Sequence, residues 1–185
     1  MDSLRSAFTF NVGRREWLQQ ASIVAGSFAL CSSPAIATSD DGVSRTAESI
    51  HQEVIFKAAP NRVYDALTDA SQFQKVESFS EAMKNADFSS HPAVISREPG
   101  GAFSLFGGYI IGRQIELVSN QRIVQAWRVT SWPPGIYSVA RFELEHQESA
   151  TKLEFDHIGF PVGTAEHLAA GWRGNYWEPL ERFLA

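Results

Sequence analysis

Cysteine is nearly missing from this chain: Cys31 is the only one in 185 residues. One thiol closes no intrachain disulfide and builds no cysteine-rich metal site. The five histidines fall at no HxxxH or comparable spacing, so neither a metal nor another cofactor is expected. Runs of Lys and Arg are also missing and the formal net charge is −5, which argues against a nucleic-acid partner. There is no Gly-rich phosphate loop and no alternation of strand and helix, so nucleotide-binding α/β folds are disfavoured. No Ser or Asp sits in a recognised nucleophile motif. The apolar run Ala21–Leu30 is too short to cross a bilayer, which takes about 20 residues.

What is present is 44% hydrophobic and 12% aromatic, enough for one globular domain with a sizeable core. The N-terminus reads as a targeting segment. Arg5, Arg14 and Arg15 precede the small apolar stretch Ala21–Leu30, and Ala35 and Ala37 then form a small-x-small cleavage pattern. Arg14-Arg15 followed by Glu16-Trp17-Leu18 resembles a twin-arginine export signal, with Trp17 where Phe is usual and Gly13 where Ser or Thr is usual. An ordinary secretory or organellar signal is the alternative. Leu30 is too large for a lipoprotein box, so Cys31 is not a lipid anchor. The expected organisation is a signal peptide at 1–37 cleaved after Ala37, a flexible linker at 38–48 and a domain at 49–185. The mature protein is then exported, periplasmic, cysteine-free and without a stable membrane anchor.

Within the domain, Ser49–Lys57 alternates as a strand. Pro60 suits the first turn of a helix running to Gln74 and split near Asp69-Ala70-Ser71. Val76–His91 has no clear period and reads either as a mobile loop over a cavity mouth or as an ordinary connection. Strands follow at Val94–Arg97, Ala102–Phe106, Tyr109–Val118, Arg122–Thr130, Tyr137–His146 and Thr151–Phe160. Gly112 suggests a bulge. The last two strands put Ala140, Phe142, Leu144, Leu153, Phe155 and His157 on one face and charges on the other, the pattern of a one-sided antiparallel sheet. In Thr164–Leu184, Leu168, Trp172, Tyr176 and Leu180 recur every fourth residue, so a long helix covers that sheet with its aromatic face. Thr164 can cap it. Pro179 predicts a kink or two pieces near Asn175–Glu178. Gly171 and Gly174 either allow close approach to the sheet or are merely tolerated. The fold class is α+β, a curved antiparallel sheet around a long C-terminal helix.

Four blocks of sequence carry a resemblance. Gly100–Arg128 (GGAFSLFGGYIIGRQIELVSNQRIVQAWR) looks like the core of the domain in activator homologues of the ninety-kilodalton heat-shock protein ATPase. Ala59–Asp69 is similar to that family's first helix. His157–Pro161 (HIGFP) and Gly171–Leu180 (GWRGNYWEPL) resemble its end. The resemblance implies the START-like (SRPBCC) helix-grip fold, whose members enclose an elongated cavity between sheet and last helix. It also implies a possible protein partner, although an export signal would separate this chain from a cytosolic chaperone.

The cavity candidates are Phe103, Leu105, Trp127, Phe142, Phe155, His157, Trp172 and Tyr176, with Phe79 and Trp132 as rim. Each ring can equally be core. His157 should point inward, where it either meets a ligand and acts as acid or base or is satisfied by neighbours. His167 reads as surface. Arg113, Glu116 and Arg128 read as a solvated outer face, or else Arg113 pairs inside with Glu116 or Glu154. Three functions remain open. The first is a binding protein for a small hydrophobic or amphipathic ligand. The second is a cyclase- or hydrolase-like enzyme using His157. The third is a protein-interaction module.

Overall fold

The computed structural model describes residues 47–81 and 91–185. Arg14, Arg15, Cys31, the cleavage position at Ala37 and most of the expected linker lie outside the described residues, as do 82–90 of the Val76–His91 stretch. Strand β1 (Ala47–Phe56) is followed by helices α1 (Pro60–Thr68) and α2 (Ala70–Glu77). Six strands come next: β2 (Val94–Ile95), β3 (Ala102–Leu105), β4 (Ile110–Val118), β5 (Arg122–Val129), β6 (Ser138–Gln147) and β7 (Ala150–Pro161). The chain ends in α3 (Ala165–Trp172), a π-helical turn (Arg173–Trp177) and α4 (Glu178–Leu184). The strands form one antiparallel sheet in the order β1-β7-β6-β5-β4-β3-β2. This is the expected α+β helix-grip architecture.

Alternation fixes which face is buried. Phe142 and Phe155 are direct partners across β6 and β7, as are Ala140 and His157, and all four are buried. The other face carries a charge ladder running from β1 to β4. His51 Nδ1 meets Asp156 at 2.7 Å, Arg141 meets Asp156 at 3.1 Å, and Arg122 meets Glu143 at 2.6 Å and Glu116 at 3.4 Å. Such exposed pairs each contribute little, but they keep this face wet. Glu116 therefore lies on the outer face. Arg113 is not paired inside: it donates to Gly100 O at 2.9 Å, while Glu154 pairs with Lys152. Arg128 departs from the solvated reading. It is buried, stacks over Tyr137 and donates to Trp132 O at 2.6 Å, pinning the Pro-rich loop.

The C-terminal helix buries Leu168, Trp172, Tyr176, Leu180 and Leu184, the row that the four-residue spacing predicts. Pro179 has no N–H for Asn175 O, and its ring would crowd that carbonyl. The helix answers by widening: Glu178 N–H bonds to Arg173 O, five residues back. The extra residue in that turn brings Trp177 onto the buried side next to Tyr176. The two helical pieces are thus joined by a π turn that begins earlier than Asn175.

Three local expectations change. Thr164 makes no side-chain cap; its hydroxyl donates to Pro161 O. The first turn is capped from the sheet, because Glu48 Oε2 accepts from Ala165 N at 2.9 Å and Thr164 N at 3.2 Å. Those backbone bonds, with Gly163's the largest, hold the Glu48 carboxyl below its ordinary pKa. Ala47 and Glu48 therefore belong to β1 and not to a linker. Gly112 is not the bulge; the β4–β5 register shifts between Gln114 and Glu116 instead. A Cβ on Gly112 would collide with Ala126 O and the Phe103 ring, so glycine is needed there for close packing.

Candidate functional site

Trp172 is the centre of the contact between helix and sheet. Its ring centroid lies 4.3 Å from Phe155, 4.2 Å from Tyr176, 5.4 Å from Trp127 and 5.8 Å from Phe142. Trp177 stacks on it at 5.5 Å and donates its indole N–H to Gln52 Oε1 at 2.6 Å. Most of the space beneath the helix is therefore filled by rings. Phe142, Phe155 and His157 are core, not cavity lining. Phe103 and Leu105, on β3 beside β4, are buried and do not line the cavity described below.

His157 points inward and is fully buried, as its strand face predicts. Trp172 Nε1–H, which can only donate, reaches His157 Nδ1 at 3.0 Å. Nδ1 is therefore the acceptor, and Nε2 carries the proton toward Ser138 Oγ at 2.6 Å. The Ser138 hydroxyl donates its own proton to Trp127 O at 2.9 Å. The imidazole is thus neutral, with both nitrogens occupied. Burial pushes its pKa down to about 3. No nitrogen is left for a ligand or for acid–base work.

A cavity of about 100 Å³ does survive, displaced toward β4 and β5. Trp127, Trp172 and Tyr176 line it. The remaining lining comes from Phe106, Tyr109, Ile110, Val129, His167, Leu168, Gly171 and Asn175. Tyr109 and His167 are exposed and Gly171 and Asn175 half-buried, so this side opens to solvent. His167 is at the surface, but at a mouth. His167, Gly171 and Asn175 are four residues apart, a second helical stripe beside the aromatic row. That spacing is visible in the sequence, but small and polar residues carry no apolar signal. Ser80, just after α2, donates to Asn175 Oδ1 at 2.7 Å and ties the start of the irregular stretch to this mouth.

The rim candidates separate. Trp132 packs edge-on against Trp127 at 5.6 Å and backs the cavity from the Pro-rich loop. Phe79 lies away from it, on a separate surface hollow with Pro179 and Arg182.

The floor is a strained turn, Phe106–Gly108, with φ values of 51°, 64° and 89°. Left-handed backbone is costly for a Phe. The Glu77 carboxylate at the end of α2 accepts the Phe106 N–H at 2.6 Å and holds the turn. Its other oxygen has no partner. Burial raises the Glu77 pKa to about 7, against a smaller lowering by the Phe106 bond.

Comparison with known proteins agrees with this fold. The model of the family described as "Activator of Hsp90 ATPase homolog 1-like protein" matches residues 57–185. The chain belongs to that family. One relative is the mouse "Activator of 90 kDa heat shock protein ATPase homolog 2", 29% identical over 143 residues, covering 77% of this chain and 40% of that protein. This activator-homologue chain spans 40% or less of the length of the curated relatives it matches. Among solved structures, the Plasmodium falciparum protein PFC0360w, described as "an HSP90 activator", superposes with a TM-score of 0.62 at 26% identity, covering 75% of this chain and 96% of that one. CalU16 from Micromonospora echinospora superposes with a TM-score of 0.59 at 20% identity, covering 75% of this chain and 77% of that one, and shares the fold. In this activator-homologue domain, among the described residues, no group of His, Cys, Asp and Glu is placed to hold a metal.

Proposed function

We propose that the domain is a binding module that takes a small hydrophobic or amphipathic molecule into the cavity between α3 and strands β4 and β5. The observation that carries this reading is Gly171. It costs about 1 kcal/mol relative to Ala in a helix interior. A Cβ there would meet nothing closer than Asn175 Nδ2 at 4.0 Å, so packing does not require the glycine. A larger side chain on that wall would reduce the opening. Drug-sized ligands occupy roughly 300–1,000 Å³, and a ~150 Å³ cavity holds benzene. About 100 Å³ therefore suits a group of about five heavy atoms. His157, with both nitrogens engaged, offers an enzymatic reading no free atom.

The test is calorimetric titration with cyclopentane, on the native protein and on Gly171→Leu, whose side chain fills the space. Uptake by the native protein that disappears in the variant supports the reading; no uptake by either overturns it. Mass spectrometry of molecules that co-purify would then name the ligand.

A second reading is favoured by the family itself and by the Plasmodium relative, which is described as an HSP90 activator. In it, the domain docks on a ninety-kilodalton heat-shock chaperone and stimulates its ATPase. Steady-state chaperone ATPase rates with and without this protein decide that reading. We also propose export through the twin-arginine-like segment, with the mature chain periplasmic. N-terminal sequencing that starts anywhere but Thr38 would overturn the cleavage site.

A further inference from the structure

The sheet ends on β2 at one side and on β1 at the other. β2 is two residues long and offers little to pair with. β1 runs for ten residues and pairs with β7. Among the described residues, its other side has no strand partner. The inner-facing Ile50 and Val54 pack on the core but are only half-buried at this edge. A long edge with an apolar fringe invites another strand. The outer-facing side chains say which one. His51 and Glu53 are 54% and 51% exposed. His51 Nδ1 is engaged by Asp156 at 2.7 Å, but Nε2 lies 3.8 Å from the chain's own Glu53, too far for a hydrogen bond.

We infer that β1 is a self-pairing edge: two copies of this chain join β1 to β1, antiparallel, about a two-fold axis at Gln52. Opposed side chains must share a face, so such an axis passes through a residue and not between two. The midpoint of Ala47–Phe56 falls between His51 and Gln52, so the two registers of longest overlap are centred on these residues. Centring on His51 opposes it to its own copy. Centring on Gln52 opposes His51 to the second copy's Glu53 and Glu53 to its His51, with Ile50 against Val54 in both directions. Protonated His51 gives its Nδ1–H to Asp156 and keeps its Nε2–H for that carboxylate. The Asp156 bond raises the His51 pKa, which favours the charged form. The charges facing the imidazole are Asp156 and Glu53, held in turn by Arg141 at 3.1 Å and Lys152 at 2.9 Å. Helix α3 agrees with the same axis. It follows β1, with Ala165 N on Glu48 and Ala169 O on Gln52. Antiparallel copies of β1 therefore carry antiparallel copies of α3. Ala169 then lies level with the axis, and Glu166 of each copy lies level with Arg173 of the other.

One strand and a helix flank make an interface at the low end of the size range, about 1,000 Å². Sedimentation of the full chain is therefore followed from about 10 μM to about 1 mM, at about pH 6 where the imidazole is charged. Reductant keeps Cys31 from linking copies. The native protein should dimerise in this range. The interface is isologous, so each substitution acts twice. His51→Glu sets carboxylate against carboxylate and Glu53→Lys sets cation against cation, so each alone should weaken the dimer about tenfold. An equimolar mixture of the two variants restores opposite charges at both places and should associate at least as tightly as the native protein. Loss in each variant with recovery in the mixture supports the inference. A native protein that stays monomeric overturns it. So does a dimer that neither variant weakens, or a mixture that does not recover. Amide exchange in the unaltered protein decides even if a variant misfolds: Ser49–Ile55 should gain protection as concentration rises while β2 does not, and an unchanged β1 overturns the inference.

Discussion

Replacing Glu77 with Gln should make the protein more stable at neutral pH and leave it unchanged in mild acid. The carboxyl is 1% exposed, and one of its two oxygens is unpartnered. Its ordinary pKa of 4.5 rises to about 7 in the fold. Below 4.5 the group is neutral in folded and unfolded chains alike. Between 4.5 and 7 the folded chain keeps a proton that the unfolded chain releases, so stability falls as pH rises; above 7 the loss is complete. At about 1.4 kcal/mol per pH unit, this interval corresponds to about 3 kcal/mol. Gln stands in for the neutral acid, and its amide oxygen can still accept the Phe106 N–H. His157 acts in the opposite sense. Its pKa falls from 6.5 to about 3, so stability drops as pH falls below 6.5. In the native protein the two slopes oppose each other between 4.5 and 6.5 and flatten the curve. The clean quantity is therefore the difference between variant and native protein, from urea unfolding at intervals from about pH 3.5 to 8.5. It should be constant at the acid end and grow by about 3 kcal/mol by pH 8. A difference that does not vary with pH would refute the burial argument.

His157→Ala should cost about 3–5 kcal/mol in urea unfolding, because it opens a cavity and strands both Trp172 Nε1–H and the Ser138 hydroxyl; a loss below about 1 kcal/mol would contradict the relay described above. Glu48→Ala should lower the thermal midpoint and increase amide exchange at Thr164 and Ala165, whose N–H groups lose their acceptor; unchanged exchange would show that the cap is idle. Gly112→Ala should destabilise by about 1–3 kcal/mol or more, since its Cβ meets Phe103 and Ala126 O. Gly174→Ala, with nothing within 4 Å and helical backbone, should stabilise by about 0.5–1 kcal/mol; thermal melts that reverse this order would sink the packing account.

The strands of the second half and the buried helix row are legible in the sequence because each has a strict period and one wet side. Asp69 is legible as the break between α1 and α2 because its local chemistry is self-contained: its side chain accepts from Gln72 N. The inward direction of His157 follows from alternation alone. Its partner does not, since Trp172 reaches it only through the register of helix on sheet. Trp177 joins the core through a π turn, which breaks the very spacing that reveals such residues. Glu48 caps a helix more than a hundred positions away, and no local pattern announces that. Dense rings are only a partial guide to a cavity, because rings also fill space: Trp127, Trp172 and Tyr176 line it, whereas Phe142 and Phe155 pack solid. It lies beside Gly171, where the helix presents least bulk.

Strand β1 has a further consequence. It sits at the sheet edge, and its ladder partner is β7, with His51 and Asp156 separated by 105 positions. At roughly 5–20 residues per second on a ribosome, β1 waits on the order of 5–20 s for that partner to be made. Throughout the wait Ile50, Val54 and Phe56 stand uncovered beside unpaired amides, the situation that invites intermolecular pairing. The interleaved His51, Glu53 and Lys57 are then the nascent strand's own defence, well before they have any role in the finished molecule.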